Sequence, residues 1–495
     1  MPEPGVLPRQ ELARRASAGV VVVFTRGVAI ALISFGGSVV LARLLDPYAF
    51  GVVAIGLAVV AFTSLLADGG LGAGLIRRAE PPTAEELQAL TGFQLAVAVA
   101  MSLVAAALAA PFGEIGWVTA LIASSTPFAM FQVSGRILLE RSLSYRPLAV
   151  VELSQVVAFN VSAVGLVLLG FGVWGIAIAI VAMRIVGVLI MARVSPAGLM
   201  RPRLSWSLIR PLLAFGVQFQ TTTAVWLLRD QGLNVFLAAV AGVSTLGLWS
   251  LANRVLQVPY LLFQALLRVS FPAASQLVAA KEDAAPLIQR AVGMVAVGAG
   301  VISTGVVGSA PGLFPGIFGE QWRDASLIMP GACLGVAIGT AVAVSAQGYL
   351  YAVGDASAVL RSTLLQSIAL LAVTLTLVPV LGVFAIGLGW FVMALVQVFT
   401  LRRAVLRWVD ADLARPLVAP VATGIVSAGA GWLIADLGGA DLVSGLVGGA
   451  CSIFLFLALV AVLQRKLLEE TIRFARRGMR AATSANAAGS GSGVP

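Results

Sequence analysis

Val52-Val53-Ala54-Ile55-Gly56-Leu57-Ala58-Val59-Val60-Ala61-Phe62-Thr63-Ser64-Leu65-Leu66 is an apolar run of 15 residues without a charge. With its flanks it reaches the roughly 20 residues that an α-helix needs to cross a hydrocarbon layer. Leu95 to Ala110 repeats the pattern, and similar runs recur along the chain. A transmembrane β-strand would instead alternate apolar and polar side chains over about ten residues. Over the whole chain of 495 residues, 59% are hydrophobic and 11% are charged, where soluble domains carry about 25% charged residues. A water-soluble fold cannot bury that much apolar side chain. The sequence describes an all-α polytopic membrane protein.

Breaks at charged, Pro-rich and Gly-rich positions divide residues 18 to 463 into fourteen expected transmembrane helices. The expected layout is a cytoplasmic N-terminal tail (1–17), an N-lobe of spans 1–6 (18–192) and a basic cytoplasmic linker (193–210). A C-lobe of spans 7–12 (211–401), a C-terminal helix pair of spans 13 and 14 (402–463) and a basic amphipathic cytoplasmic tail (464–495) follow. Orientation comes from the basic residues, which gather on the cytoplasmic side of membrane proteins. With the N-terminus inside, Arg43 and Arg323 fall outside and Arg26, Arg184, Arg229 and Arg254 fall within spans; the rest of the 32 Lys+Arg are cytoplasmic. The even number of spans places both termini in the cytoplasm. The first apolar segment follows Arg9, Arg14 and Arg15 and is too long for a cleaved signal, so it is expected to remain in the mature protein. In the tail, Leu467, Leu468, Ile472, Ala475 and Met479 share one helical face opposite basic groups, a pattern suited to an anionic leaflet or to a tail that only enforces topology.

Several chemistries drop out on composition. There is no histidine, so histidine-based catalytic triads, imidazole metal sites and imidazole proton relays are excluded. Any coupled proton must ride on a carboxylate. Cys333 and Cys451 stand alone in apolar runs without metal-ligand spacing. No metal or cofactor is expected. The net charge of +10 would suggest nucleic acid in a soluble protein, but these arginines lie between spans and set topology instead. No outside loop is long enough for a catalytic domain, which argues against an enzyme.

A weak internal repeat appears at a shift of 196 residues: Leu41-Ala42 falls on Leu237-Ala238, Phe50-Gly51 on Leu246-Gly247 and Asp68 on Gln264. Transporters built from such repeats place the substrate path between the lobes. The candidate site residues are those that should not be in lipid, since an ionised side chain there costs at least about 2.5–3.5 kcal/mol on insertion scales. They are Arg26, Arg184, Arg229, Arg254, Asp68, Glu152 and Asp230. Arg184 and Glu152 read as near the cytoplasmic ends of their spans, where they can snorkel to the interface.

On the seventh span, Gln218, Thr221, Thr222 and Arg229 fall within about 100° of the helix circumference. On the eighth, Asn253, Gln257, Tyr260 and Gln264 do the same, with Ser250 and Arg254 on the flank. These stripes read as lining a common aqueous cavity; the bland alternative is interhelical hydrogen bonding worth about 0.6 kcal/mol per contact. Arginine suits a phosphate because its planar fork donates paired hydrogen bonds and keeps its charge. The alternative for Arg26 is a salt bridge to a carboxylate such as Asp68. Neighbours on a helix point about 100° apart, so Arg229 can face the cavity while Asp230 turns to another helix or a proton path. Asp68 opens Asp68-Gly69-Gly70-Leu71-Gly72-Ala73-Gly74, which reads first as a hinge. Asp68 and Asp230 are the candidates for ion coupling or gating.

The stretch Leu41-Ala42-Arg43-Leu44-Leu45-Asp46-Pro47-Tyr48-Ala49-Phe50-Gly51, followed by Leu66-Ala67-Asp68-Gly69-Gly70-Leu71-Gly72, resembles the opening of the bacterial polysaccharide flippases. That family belongs to the multidrug/oligosaccharidyl-lipid/polysaccharide exporter superfamily. The resemblance implies a flip of polyprenyl-diphosphate-linked oligosaccharide across the inner (plasma) membrane by alternating access, without covalent chemistry. Membrane lipids, and a downstream polysaccharide polymerase, are the other partners it implies. The lipid II flippases of the same superfamily carry cavity arginines on their first, second and eighth helices. Arg26 and Arg254 match two of these positions, but no arginine precedes Arg77 on the second span, which favours an oligosaccharide over lipid II. A multidrug or cation antiporter would want carboxylates rather than arginines in its cavity.

Overall fold

The computed structural model describes residues 9–78, 80–257, 283–439, 441–471 and 473. Every regular element among them is helical. Eleven helices among the described residues are long and apolar enough to cross a membrane. One of these stretches, Ala84–Met130, has 47 residues, enough for two crossings at about 20 residues each. The chain divides by contacts into two compact units, Met1–Gly247 and Leu248–Pro495, so the sequence expected as the seventh span packs with the first unit.

The first unit holds α1 (Arg9–Leu44), α2 (Pro47–Asp68), α3 (Leu71–Arg77), α4 (Ala84–Ala109), α5 (Gly113–Ala123), α6 (Thr126–Met130), α7 (Val133–Arg141), α8 (Tyr145–Leu168), α9 (Gly172–Val194) and α10 (Trp206–Ala241). A further helix over the described residues 243–257, α11, crosses into the second unit. Its helices begin where polar side chains satisfy free backbone N–H groups. Asp46 accepts from the Ala49 N–H at 2.9 Å and Pro47 opens α2. Thr83 and Glu86 cap α4 reciprocally, with the Glu86 N–H donating to Thr83 Oγ1 at 3.2 Å and the Thr83 N–H donating to Glu86 Oε2 at 2.9 Å. The α2 helix ends at Gly69 and Gly70, both left-handed at φ 54° and 71°, a geometry that costs a side-chain-bearing residue energy. This corner presses its backbone against Gly216 of α10.

The second unit contains α12 (Ala285–Leu313), α13 (Met329–Val342), α14 (Gly348–Ala352), α15 (Ala356–Leu381), α16 (Phe384–Val405), α17 (Arg415–Leu437) and α18 (Leu442–Leu463). The C-terminal pair α17 and α18 packs on α12 through a seam of small residues. A side chain at Gly448 would strike the backbone of both Gly308 and Gly431, so the three helix backbones touch almost directly. Ser452 in that seam donates to the Ser427 carbonyl at 3.0 Å.

The two repeat corners meet within the first unit. A Cβ on Gly51 would run into the Val243 carbonyl, and a Cβ on Gly247 would run into the Pro47 carbonyl. Positions 47 and 243, like 51 and 247, are related by the same shift of 196, so the contact maps onto itself under the repeat. Gly51→Val and Gly247→Val are each expected to lower stability by about 1–3 kcal/mol through overpacking. Because both act on one contact, the double variant should fall short of the sum. Thermal unfolding of the detergent-purified protein checks this, and strict additivity would contradict it.

Candidate functional site

Arg26 lies in α1 and does not pair with Asp68. Its Nη1 is 3.2 Å from Glu152 Oε2 on α8, and Arg136 Nη2 on α7 approaches Glu152 Oε1 at 3.9 Å. Glu152 therefore bridges two arginines instead of snorkelling away. The reason is position: α1 packs directly on α8, whereas Asp68 ends α2 and is taken up elsewhere. Glu140 of α7 sits beside this group, and its burial pushes the carboxyl above its usual range while Arg136 pulls it back.

Asp68 anchors the glycine corner it opens. Its carboxylate accepts the Gly70 N–H at 3.2 Å, Gln94 Nε2 of α4 at 3.3 Å and Gln220 Nε2 of α10 at 2.8 Å. Three donors replace the cation expected as its alternative partner. Gln94 is 0% exposed, and the Oε1 atoms of both glutamines are buried without a hydrogen-bond partner. Sequence reasoning passed over both glutamines, although each is a polar residue inside an apolar run and the same cost argument applies to it.

Arg229 Nε lies 2.7 Å from Asp230 Oδ1, so the expectation that these neighbours serve separate faces gives way. Their Cα–Cβ bonds diverge, but the long arginine stem lets the guanidinium swing round to the carboxylate. Arg229 is 15% exposed and Asp230 52%. In the second unit, on helix 243–257, Asn253 is half-buried while Arg254 and Gln257 are exposed. The side chains of Gln218, Thr221 and Thr222, and the whole of Tyr260 and Gln264, lie outside the described residues. Arg184 is not near the end of its helix. It stands midway along α9, about 15 Å from the C-terminal end at the usual rise per residue. The described residues include no group of three or more metal-ligating side chains. A separate cavity of about 400 Å³ in the second unit runs between α12, α13, α16 and α17, lined by groups such as Thr304, Pro330, Phe391, Pro420 and Trp432 and by no charged side chain.

An all-helical arrangement with many membrane-length apolar helices defines a polytopic α-helical membrane protein. The structure is similar to the lipid II flippase MurJ in an inward closed conformation, with a TM-score of 0.69 at 12% identity over 91% of this chain and 99% of that one. It is also similar to an inward-facing multidrug resistance MATE family transporter of the MOP superfamily, with a TM-score of 0.56 at 15% identity over 78% and 95% of the chains. Residues 40–327 match the family described as polysaccharide biosynthesis protein, and the chain belongs to that family. It is 26% identical over 300 residues to the succinoglycan biosynthesis transport protein ExoT of Rhizobium meliloti (strain 1021), a match that covers 58% of this chain. The matched region spans 59% of that relative's length.

The Arg26–Glu152 pair is partly buried, so removing one partner strands the other. Glu152→Gln is expected to destabilise the protein by about 1–3 kcal/mol, and adding Arg26→Gln should recover part of that loss. A double-mutant cycle on thermal unfolding measures the coupling; zero coupling would mean the two groups do not pair in the membrane.

Proposed function

We propose that the protein flips polyprenyl-diphosphate-linked oligosaccharide units from the cytoplasmic to the outer leaflet for cell-surface polysaccharide assembly. The family supports a transporter of polysaccharide biosynthesis, and the surplus of guanidinium along the helices carries the finer reading. Arg26, Arg184, Arg229 and Arg254 stand against Asp68, Glu152 and Asp230, and Asp68 is occupied by amides rather than by any of the four. A diphosphate offers the charge and the paired acceptors that arginine forks recognise.

In this reading Arg26, Arg229 and Arg254 contact the head group, with Gln218, Thr222, Asn253, Gln257, Tyr260 and Gln264 as polar lining. Glu152 and Asp230 hold two of the arginines until phosphate replaces them, an exchange that keeps each guanidinium compensated throughout. Two repeat-related six-helix lobes alternate access to the substrate, both termini face the cytoplasm, and a polymerase takes up the product outside. Asp68 serves ion coupling or gating: it makes no ion pair among the described residues, and beside the orphan glutamine oxygens a proton or small cation would find ready acceptors. The competing reading, a cation antiporter of the same superfamily, draws on the MATE-like fold and would make Asp68 the main binding group.

In cells that depend on this protein for polysaccharide export, Arg26→Ala, Arg229→Ala and Arg254→Ala are expected to keep membrane levels but stop export. Lysine at the same positions should restore it in part, because charge returns without the fork. Immunoblots of membranes together with surface polysaccharide measure both arms. Normal export by all three alanine variants would refute the reading.

A further inference from the structure

Arg184 is the deep arginine with the least to hold it. Its Nε is buried without a hydrogen-bond partner, and no described carboxylate forms an ion pair with it. The charge within electrostatic reach is Arg136, of like sign. Glu152 is divided between Arg26 and Arg136 and forms no ion pair with Arg184. A guanidinium midway along an apolar helix remains charged at any working pH. Among the described residues no anion answers it.

The surroundings are built around this group. The crossing before α7 is discontinuous: α6 stops at Met130, α7 starts at Val133, and Gln132 occupies the break. Broken helices at membrane depth are tolerated where they line a cavity, and they mark binding sites in transporters. Gln132 Nε2 donates to the Arg184 carbonyl at 3.4 Å, and Gln155 Nε2 of α8 donates to Gln132 Oε1 at 2.6 Å. One turn beyond Arg184, Gly187 leaves room for these amides; any side chain there would collide with Gln155 and crowd Gln132. The α6–α7 break and α8 thus fix the stretch of α9 that carries this charge.

We propose that Arg184, with Arg136 beside it and the Gln132–Gln155 amides holding it in place, forms a phosphate-binding site within the first unit that receives a phosphorylated lipid head. The site rests on the flippase reading and extends it by adding a contact on the sixth expected span. The phosphate can come from an isoprenyl diphosphate or from a resident phospholipid, and the two sources are separable.

The full-length protein is reconstituted in phosphatidylcholine nanodiscs and titrated with radiolabelled farnesyl diphosphate. Wild type is expected to bind, and Arg184→Gln to bind roughly tenfold to a hundredfold more weakly, the usual consequence of losing a charge-assisted pair. Arg184→Lys should fall between, and thermal midpoints should stay together. If the glutamine variant does not fold, Arg184→Met replaces it. Repeating the titration with phosphatidylglycerol in the disc assigns the source: competition points to the phospholipid head, and no competition points to the isoprenyl diphosphate. Unchanged affinity in the uncharged variant, or wild type that binds no farnesyl diphosphate, overturns the site. Export assays on the Arg26, Arg229 and Arg254 variants decide the flippase reading separately, so either conclusion can fall without the other.

Discussion

A charge or a bare amide in an apolar surrounding must be answered by a partner, and this requirement organises the described chain more than any other. Glu152 answers two arginines at once, Asp230 answers its own neighbour, and Asp68 is answered by one backbone and two side-chain amides. Two of these answers also tie helices together: α1 and α7 to α8, and the end of α2 to α4 and α10. Polar pairing is thus what selects one packing among many that plain apolar helices could adopt, since lipid competes with side chains for every apolar contact.

The second organising feature is close backbone approach. Glycines at the α2 end, at the repeat corners and along the seam between α12, α17 and α18 allow helix backbones to touch where a methyl group would intrude. Directional bonds fix which helices meet, and missing side chains fix how near they come. The Asp68-Gly69-Gly70 corner uses both devices within three residues. Its carboxylate is bound from α4 and α10 while its backbone turns left-handed against Gly216 of α10 itself.

Much of this was legible beforehand. The helical class, the membrane setting and the family follow from uninterrupted apolar runs and from the quoted corner sequences. Partner choice was not legible. Arg26 could have met any carboxylate within a side-chain length, and only the packing of α1 on α8 selects Glu152. The rule that adjacent residues diverge fails for Arg229 and Asp230 because it describes Cβ directions, not the reach of a flexible stem. Arg184 was misplaced although the expected end of its span at residue 192 falls within two residues of the end of α9 at Val194; about 15 Å of helix separates it from that end, too far for an interfacial position.

The contact between Gly51 and Val243, mirrored by that between Gly247 and Pro47, has a further consequence. It is self-complementary, the kind of surface that two copies of a half-length ancestor would share across a dyad. Joining the copies would not have required a new interface, only a tether. The pair also imposes correlated drift: a bulkier residue on one side presses on the backbone that seats the other, so variants of this chain should change at the two glycines together or not at all.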